Sequence, residues 1–144
     1  IPVRKYTHEV VTLWYRPPDV LMGSKDYSTT VDIWSVGCIF AEMLNGRPLF
    51  PGKSEQDQLN KIFKILGTPK INTWSNMNEL PDVKLAEHFP HYPSQPFKRI
   101  IRHVDKLALD LIARLLQLNP NNRISAIEAL SHPYFDTIRN NHFE

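Results

Sequence analysis

The sequence predicts a mainly α-helical fold, and three observations support this. Apolar residues recur at helical spacing in several segments, residues suited to helix caps flank those segments, and no convincing pair of strands is present. The 144 residues, 42% hydrophobic and 22% charged, fit one globular unit. The net charge of +2 is too small to indicate nucleic-acid binding. No apolar run reaches the roughly 20 residues that a membrane-spanning helix needs.

Residues 1–27 mix β-branched and aromatic residues with two consecutive prolines that start at Pro17. Proline disfavours helical geometry at the preceding residue, here Arg16. We therefore expect an irregular, well-packed segment that contains one short helix near residues 19–22.

A strongly apolar helix is predicted next. Ser28, Thr29 and Thr30 can cap its start, and Gly46, closely followed by Pro48, suits its end. Apolar side chains cover nearly every face between these caps, which is typical of a helix buried on all sides. They are Val31, Ile33, Trp34, Val36, Cys38, Ile39, Phe40, Met43 and Leu44.

The following helix is amphipathic. Ser54 and Asp57 resemble a capping box with an acidic third position, and Gly67 ends the run. The apolar stripe, at positions i, i+3, i+4 and i+7, consists of Leu59, Ile62, Phe63 and Leu66.

Residues 68–104 contain five prolines and little periodicity. A loop of this length in a compact domain is commonly functional or prone to interact.

Two helices are predicted after this loop. Asp105 can cap the first, and Asn119 followed by proline stops it. Ser125 and Glu128 form a capping box for a last short helix that ends before His132. The stripe of the first of these helices consists of Leu107, Leu111, Ile112 and Leu115.

Cysteine and histidine usage limits the possible classes further. The lone Cys38 cannot form an internal disulfide and fits a reducing compartment, so we expect a cytoplasmic or nuclear protein. The chain starts at Ile1 without a signal-peptide pattern, and we expect it to be an internal piece. No metal site is expected, because no metal-ligand spacing is present among His8, His88, His91, His103, His132 and His142.

Three segments together resemble the C-terminal lobe of cyclin-dependent-type protein Ser/Thr kinases. Residues 6–19, YTHEVVTLWYRPPD, are similar to the second half of the activation segment of these kinases. Residues 32–39, DIWSVGCI, resemble the start of the large central helix of the lobe. Residues 119–123, NPNNR, followed by HPYF, resemble the end of the kinase domain. Order and spacing agree, so the resemblance assigns residues 1–136 to the kinase domain and 137–144 to a C-terminal tail.

The branch of the family stays open. Thr7 is followed by His8 and Glu9, which differs from the Thr-x-Tyr pair of mitogen-activated kinases. The residues that end the activation segment are Pro-Pro-Asp instead of the usual Ala-Pro-Glu.

The resemblance implies a switch and a substrate pocket. Thr7 would be the activating phosphorylation site. Val10, Val11 and Arg16 would form the pocket for the residue after the substrate Ser/Thr, where proline is preferred because it has no N–H. Thr12 would contact the catalytic aspartate and lysine, which are not among these 144 residues.

Other residues have implied structural roles. Trp14 would hold the register of the pocket segment. Asp19 and Arg123 would form an ion pair that braces the end of the activation segment. Asp32 would accept backbone N–H groups of the catalytic loop, while its position near a helix N-terminus already explains an acidic residue.

The resemblance also implies ATP and Mg²⁺, a cyclin-type subunit and Ser/Thr-Pro substrates for the full-length kinase, and a possible Cks-type accessory subunit at residues 68–104. The fragment alone is expected to be inactive. The alternative is a non-catalytic binding module. The encoded sequence upstream of Ile1 decides between the two: His-Arg-Asp and Asp-Phe-Gly motifs there would exclude the binding module, and a start codon next to Ile1 would exclude the enzyme. Because the helix over 31–44 would lack its cover, we expect the isolated chain to be poorly soluble or to bind apolar dyes strongly.

Overall fold

The computed structural model describes residues 13–142, and this part of the chain is helical without β-strands, as predicted. No helix in it is long and apolar enough to cross a membrane. Short 3₁₀ helices lie at Met77–Glu79, Val83–His88, Pro120–Asn122 and Pro133–Phe135. The α-helices are α1 (Pro18–Leu21), α2 (Thr29–Asn45), α3 (Glu55–Leu66), α4 (Phe97–Ile100), α5 (Lys106–Leu115), α6 (Ala126–Leu130) and α7 (Asp136–His142).

Helix α2 is the longest helix of the described residues, and it has the bounds that its caps predict. It ends because Gly46 takes a left-handed conformation with φ of 81°, and the Gly46 N–H donates to the Glu42 carbonyl at 2.8 Å. Helix α5 packs closely against it at Gly37, where a Cβ atom would lie 2.9 Å from Leu115 Cβ. The absence of a side chain at Gly37 therefore sets the distance between the two helices.

The main hydrophobic core lies between α2, α3 and α5. Trp34 of α2 is fully buried and stacks on Phe50, with ring centroids 5.8 Å apart. Burial of aromatic and aliphatic side chains supplies most of the free energy that holds such helices together. Other buried members of this core are Cys38, Ala41, Leu59, Ile62, Phe63, Ile112 and Leu116.

The prediction that α2 is buried on all sides is wrong for one face. Val36, Ile39 and Met43 are exposed to 51%, 49% and 77%. They lie at helical spacing with the exposed Asp32, so they form one stripe, here called the open face of α2. An exposed apolar stripe was expected for this chain, and the dye binding that it implies stays a prediction.

The predicted caps of α3 and α6 are present. Ser54 Oγ accepts a hydrogen bond from Asp57 N at 3.1 Å, but the Asp57 carboxylate accepts from Lys53 N at 2.9 Å instead of from Ser54 N. In a capping box, the side chain of the third helical residue accepts from the N–H of the N-cap residue, here Ser54. The Asp57 carboxylate accepts instead from the N–H of the preceding residue, Lys53. Ser125 and Glu128 form the complete box at α6.

Residues 68–104 are more ordered than a long loop, because they contain two 3₁₀ helices and α4. Trp74, Met77 and Ile101 are buried in the main core and anchor the segment. The hydroxyl of Thr68 accepts from Tyr92 N at 2.8 Å and joins two distant parts of the segment. Helix α7, which begins at Asp136 and extends into the predicted tail, was not predicted either.

Candidate functional site

The segment Trp14–Arg16 is fixed to α3 by a closed set of hydrogen bonds. The Trp14 indole N–H donates to the Gly52 carbonyl at 2.8 Å. Gln58, which is fully buried, donates from Nε2 to the Trp14 carbonyl at 3.3 Å and accepts from Gly52 N at 2.8 Å. Buried amide groups need such partners, so Gln58 holds the segment and the turn before α3 in one arrangement.

Tyr15 fixes the same segment to α2. Its hydroxyl donates to Glu42 Oε1 at 2.6 Å, and its carbonyl accepts from Ser35 Oγ at 2.8 Å. The hydrogen bond to Glu42, together with burial, raises the pKa of Tyr15 to about 12. The phenol is therefore a neutral donor at physiological pH.

Arg16 points to the N-terminus of α3. Its Nη1 atom lies 2.9 Å from Glu55 Oε1, and the side chains of Arg16 and Glu55 are 23% and 64% exposed. The residues predicted to share a pocket with Arg16, namely Val10 and Val11, lie outside the described residues. Thr7 and Thr12 lie outside them as well.

Asp19 and Arg123 meet in a buried ion pair, although 104 positions separate them in the sequence. Arg123 Nη2 lies 2.7 Å from Asp19 Oδ1, and the side chains are 0% and 4% exposed. The Asp side chain, one methylene shorter than Glu, reaches the guanidinium directly.

Arg123 also donates to backbone carbonyls. Its Nε donates to the Gln117 carbonyl at 2.9 Å and its Nη1 to the Thr30 carbonyl at 3.0 Å. Its guanidinium carbon lies 5.2 Å from the centre of the Trp34 ring, a cation–π distance. Burial lowers the pKa of Arg123 and the Asp19 carboxylate opposes that shift, so the guanidinium keeps its charge at physiological pH.

Asp32 lies in the first turn of α2 and is exposed, in the position that favours a carboxylate near a helix N-terminus. Its predicted partners in a catalytic loop are not among the described residues.

The protein kinase domain family model matches residues 2–135. This chain belongs to the protein kinase family. The match includes the predicted pocket segment, the buried ion pair and all helices up to α6. Kinase-type phosphoryl transfer is thus the reaction class of the family.

Protein kinases use ATP with Mg²⁺. The part of the kinase chain that the structure describes has no cluster of His, Cys, Asp or Glu side chains that could hold a metal ion. The described residues therefore do not fit a Mg²⁺ site.

Some contacts of this kinase lobe were not predicted from the sequence. Gln58, Glu42 and Glu55 contact the segment Trp14–Arg16, and His132 Nε2 lies 2.7 Å from Asp110 Oδ2. Nothing in the local sequence marks these residues, because their contacts join segments that are distant in the chain.

Away from the segment Trp14–Arg16, a cleft of about 930 Å³ opens between residues 68–104 and α5. Its wall includes the buried Trp74 and the exposed Lys70, Lys98 and Lys106. Its one carboxylate, Asp110, is already bonded to an arginine and a histidine. None of the predicted site residues lines this cleft.

Proposed function

We propose that this chain is part of a cyclin-dependent-type protein Ser/Thr kinase that transfers the γ-phosphoryl group of ATP to Ser/Thr-Pro sites. Residues 1–144 would contribute substrate recognition and the activation switch, and the catalytic loop and ATP site would come from the rest of the protein. The observation that carries the proposal is the segment Trp14–Arg16, which three polar side chains from α2 and α3 fix in place.

Proline preference has a simple physical basis in this arrangement. A substrate N–H that enters a pocket without an acceptor loses its hydrogen bond to water, which costs about 1–3 kcal/mol. Proline has no N–H and avoids that cost. The proposal is that Arg16 engages a valine carbonyl of residues 10–11 and so removes the acceptor that other residues would need.

The activation switch is proposed to be Thr7. A phosphate on this side chain would add about −1.5 to −2 charges and would order the segment by pairing with arginines elsewhere in the full kinase. Because Trp14 and Tyr15 are held to the helices, order at Thr7 would extend directly to the substrate pocket.

The proposed partners are a cyclin-type subunit and protein substrates with Ser/Thr-Pro. A small Cks-type accessory subunit is a further proposal, and the order of residues 68–104 supports it. The cleft beside this segment offers a preformed surface.

The experiment uses the full-length gene product, purified with candidate cyclins and assayed for phosphoryl transfer from ATP to a Ser-Pro peptide. Thr7→Ala should lower the rate by at least about tenfold, the loss expected for one charge-assisted hydrogen bond. Thr29→Ala, at an exposed threonine of α2, is the control and should keep the wild-type rate. A wild-type protein that binds substrate peptide but transfers no phosphate would favour the non-catalytic binding module instead.

A further inference from the structure

The backbone around Arg16 is rigid on both sides. Before it, Trp14 and Tyr15 are hydrogen-bonded to α2, α3 and the turn between them. After it, Pro17 and Pro18 are fully buried. The position of the Arg16 Cα atom is therefore set by the fold, and only its flexible side chain has to be oriented.

Glu55 provides that orientation. It is the first residue of α3, whose start is fixed by the Ser54 cap. The Glu55 carboxylate binds Arg16 Nη1 at 2.9 Å, and this is the only ion pair of Arg16 among the described residues. A guanidinium has five N–H donors in one plane. The Glu55 carboxylate occupies a donor on Nη1 of Arg16. The other N–H groups of the guanidinium point in other directions within its plane and stay able to donate to a second acceptor.

We propose that Glu55 is a positioning residue that sets the proline specificity of the substrate pocket by holding the Arg16 guanidinium. The proposal rests on the proposed function, because it concerns the same pocket. Without Glu55, the Arg16 side chain would sample several rotamers in water, and the contact proposed above with a valine carbonyl would be made less often. The acceptor freed in this way would admit residues that carry an N–H.

The size of the effect follows from the exposure of the pair. With Glu55 64% exposed, solvent screens the attraction, and such pairs contribute little energy. We therefore expect a loss of about two- to fivefold in discrimination, and no collapse of activity.

The experiment measures kcat/KM of the full-length kinase with its cyclin on two peptides that differ only in Pro or Ala after the Ser. Glu55→Gln should lower the Pro-to-Ala ratio about two- to fivefold, mainly through a lower KM for the Ala peptide, whose N–H would then find an acceptor. Glu55→Asp, which keeps the charge, should restore part of the ratio. Asp26→Asn, at an exposed carboxylate outside the site, should keep the wild-type ratio.

A double variant separates positioning from a general charge effect. In an Arg16→Ala background, Glu55→Gln should have no further effect on the ratio, because Glu55 acts through Arg16. A ratio that stays at the wild-type value in Glu55→Gln, or that falls further in the double variant, would overturn the inference. A wild-type enzyme that phosphorylates neither peptide would overturn the proposed function itself, and the two failures are thus distinct.

Discussion

The buried ion pair between Asp19 and Arg123 gives the sharpest prediction of stability. Asp19→Asn keeps the shape of the side chain and removes its charge. Arg123 would then remain charged in a site where its side chain is 0% exposed, with only neutral carbonyls and the Trp34 ring as partners. Because an uncompensated buried charge is costly, the variant should lose stability.

The size of the loss in unfolding free energy follows from the burial of the ion pair. Removal of one member of a buried pair costs about 3–5 kcal/mol, whereas an exposed pair contributes about 0.2–1 kcal/mol. Glu55→Gln breaks the exposed pair with Arg16 by the same chemical change and is therefore the matched control. Arg123→Lys should also be destabilising, because an ammonium group cannot reproduce the planar set of contacts that the guanidinium makes.

Urea unfolding followed by tryptophan fluorescence measures the difference. Asp19→Asn should lower the midpoint strongly at an unchanged m value, and Glu55→Gln should barely move it. The double variant Asp19→Asn/Arg123→Met should recover part of the loss, since it removes the unpaired charge. If Asp19→Asn costs no more than Glu55→Gln, the ion pair does not brace the fold and the reasoning is wrong.

The remaining predictions concern single side chains. The hydrogen bond to Glu42 raises the pKa of Tyr15 from 10.0 to about 12. The stability that this hydrogen bond contributes is therefore complete below pH 10 and is lost as the pH rises toward 12. Tyr15→Phe should remove the last step from a tyrosinate absorbance titration, and a retained step would refute the assignment. Gly37→Ala should lower the Tm although alanine favours helices by about 1 kcal/mol, because the new Cβ would lie 2.9 Å from Leu115 Cβ; a higher Tm would contradict the packing. Hydrogen bonds from an imidazole and a guanidinium hold the pKa of Asp110 below its usual 3.8, so its contribution is present above that value and is lost as the pH falls through the lower folded pKa. Asp110→Asn should weaken the fall of Tm with pH below about 3.8. An unchanged dependence of Tm on pH in this variant would contradict the role of the Asp110 carboxylate.

The helices were predictable because their signals are local. Gly46 ends α2 by its own backbone preference, and Ser125 with Glu128 starts α6 within four residues. The order within 68–104 was not predictable, because its short turns depend on burial of Trp74 and Met77 in a core built by other segments. Helix α7 likewise has no periodic apolar pattern that would have indicated it.

The candidate site was predicted only as far as the family resemblance reaches. That resemblance paired Asp19 with Arg123 across most of the chain, which no local pattern could do. It gave no partner for Arg16, because Glu55 is an ordinary exposed acidic residue until the fold brings the two together. Gln58 was missed for a related reason: its buried position is visible only once the turn before α3 folds onto it.

We propose above that the full-length kinase recognises the residue after the phosphorylated Ser/Thr through Val10, Val11 and Arg16. The most direct test is the ratio of kcat/KM for Ser-Pro and Ser-Ala peptides, measured with the full-length kinase and with its Arg16→Ala variant. We expect a strong preference for proline in the wild type and a ratio about tenfold lower in the variant, since one donor–acceptor contact of Arg16 would be lost. Equal use of both peptides by the wild type, or an unchanged ratio in Arg16→Ala, would contradict it.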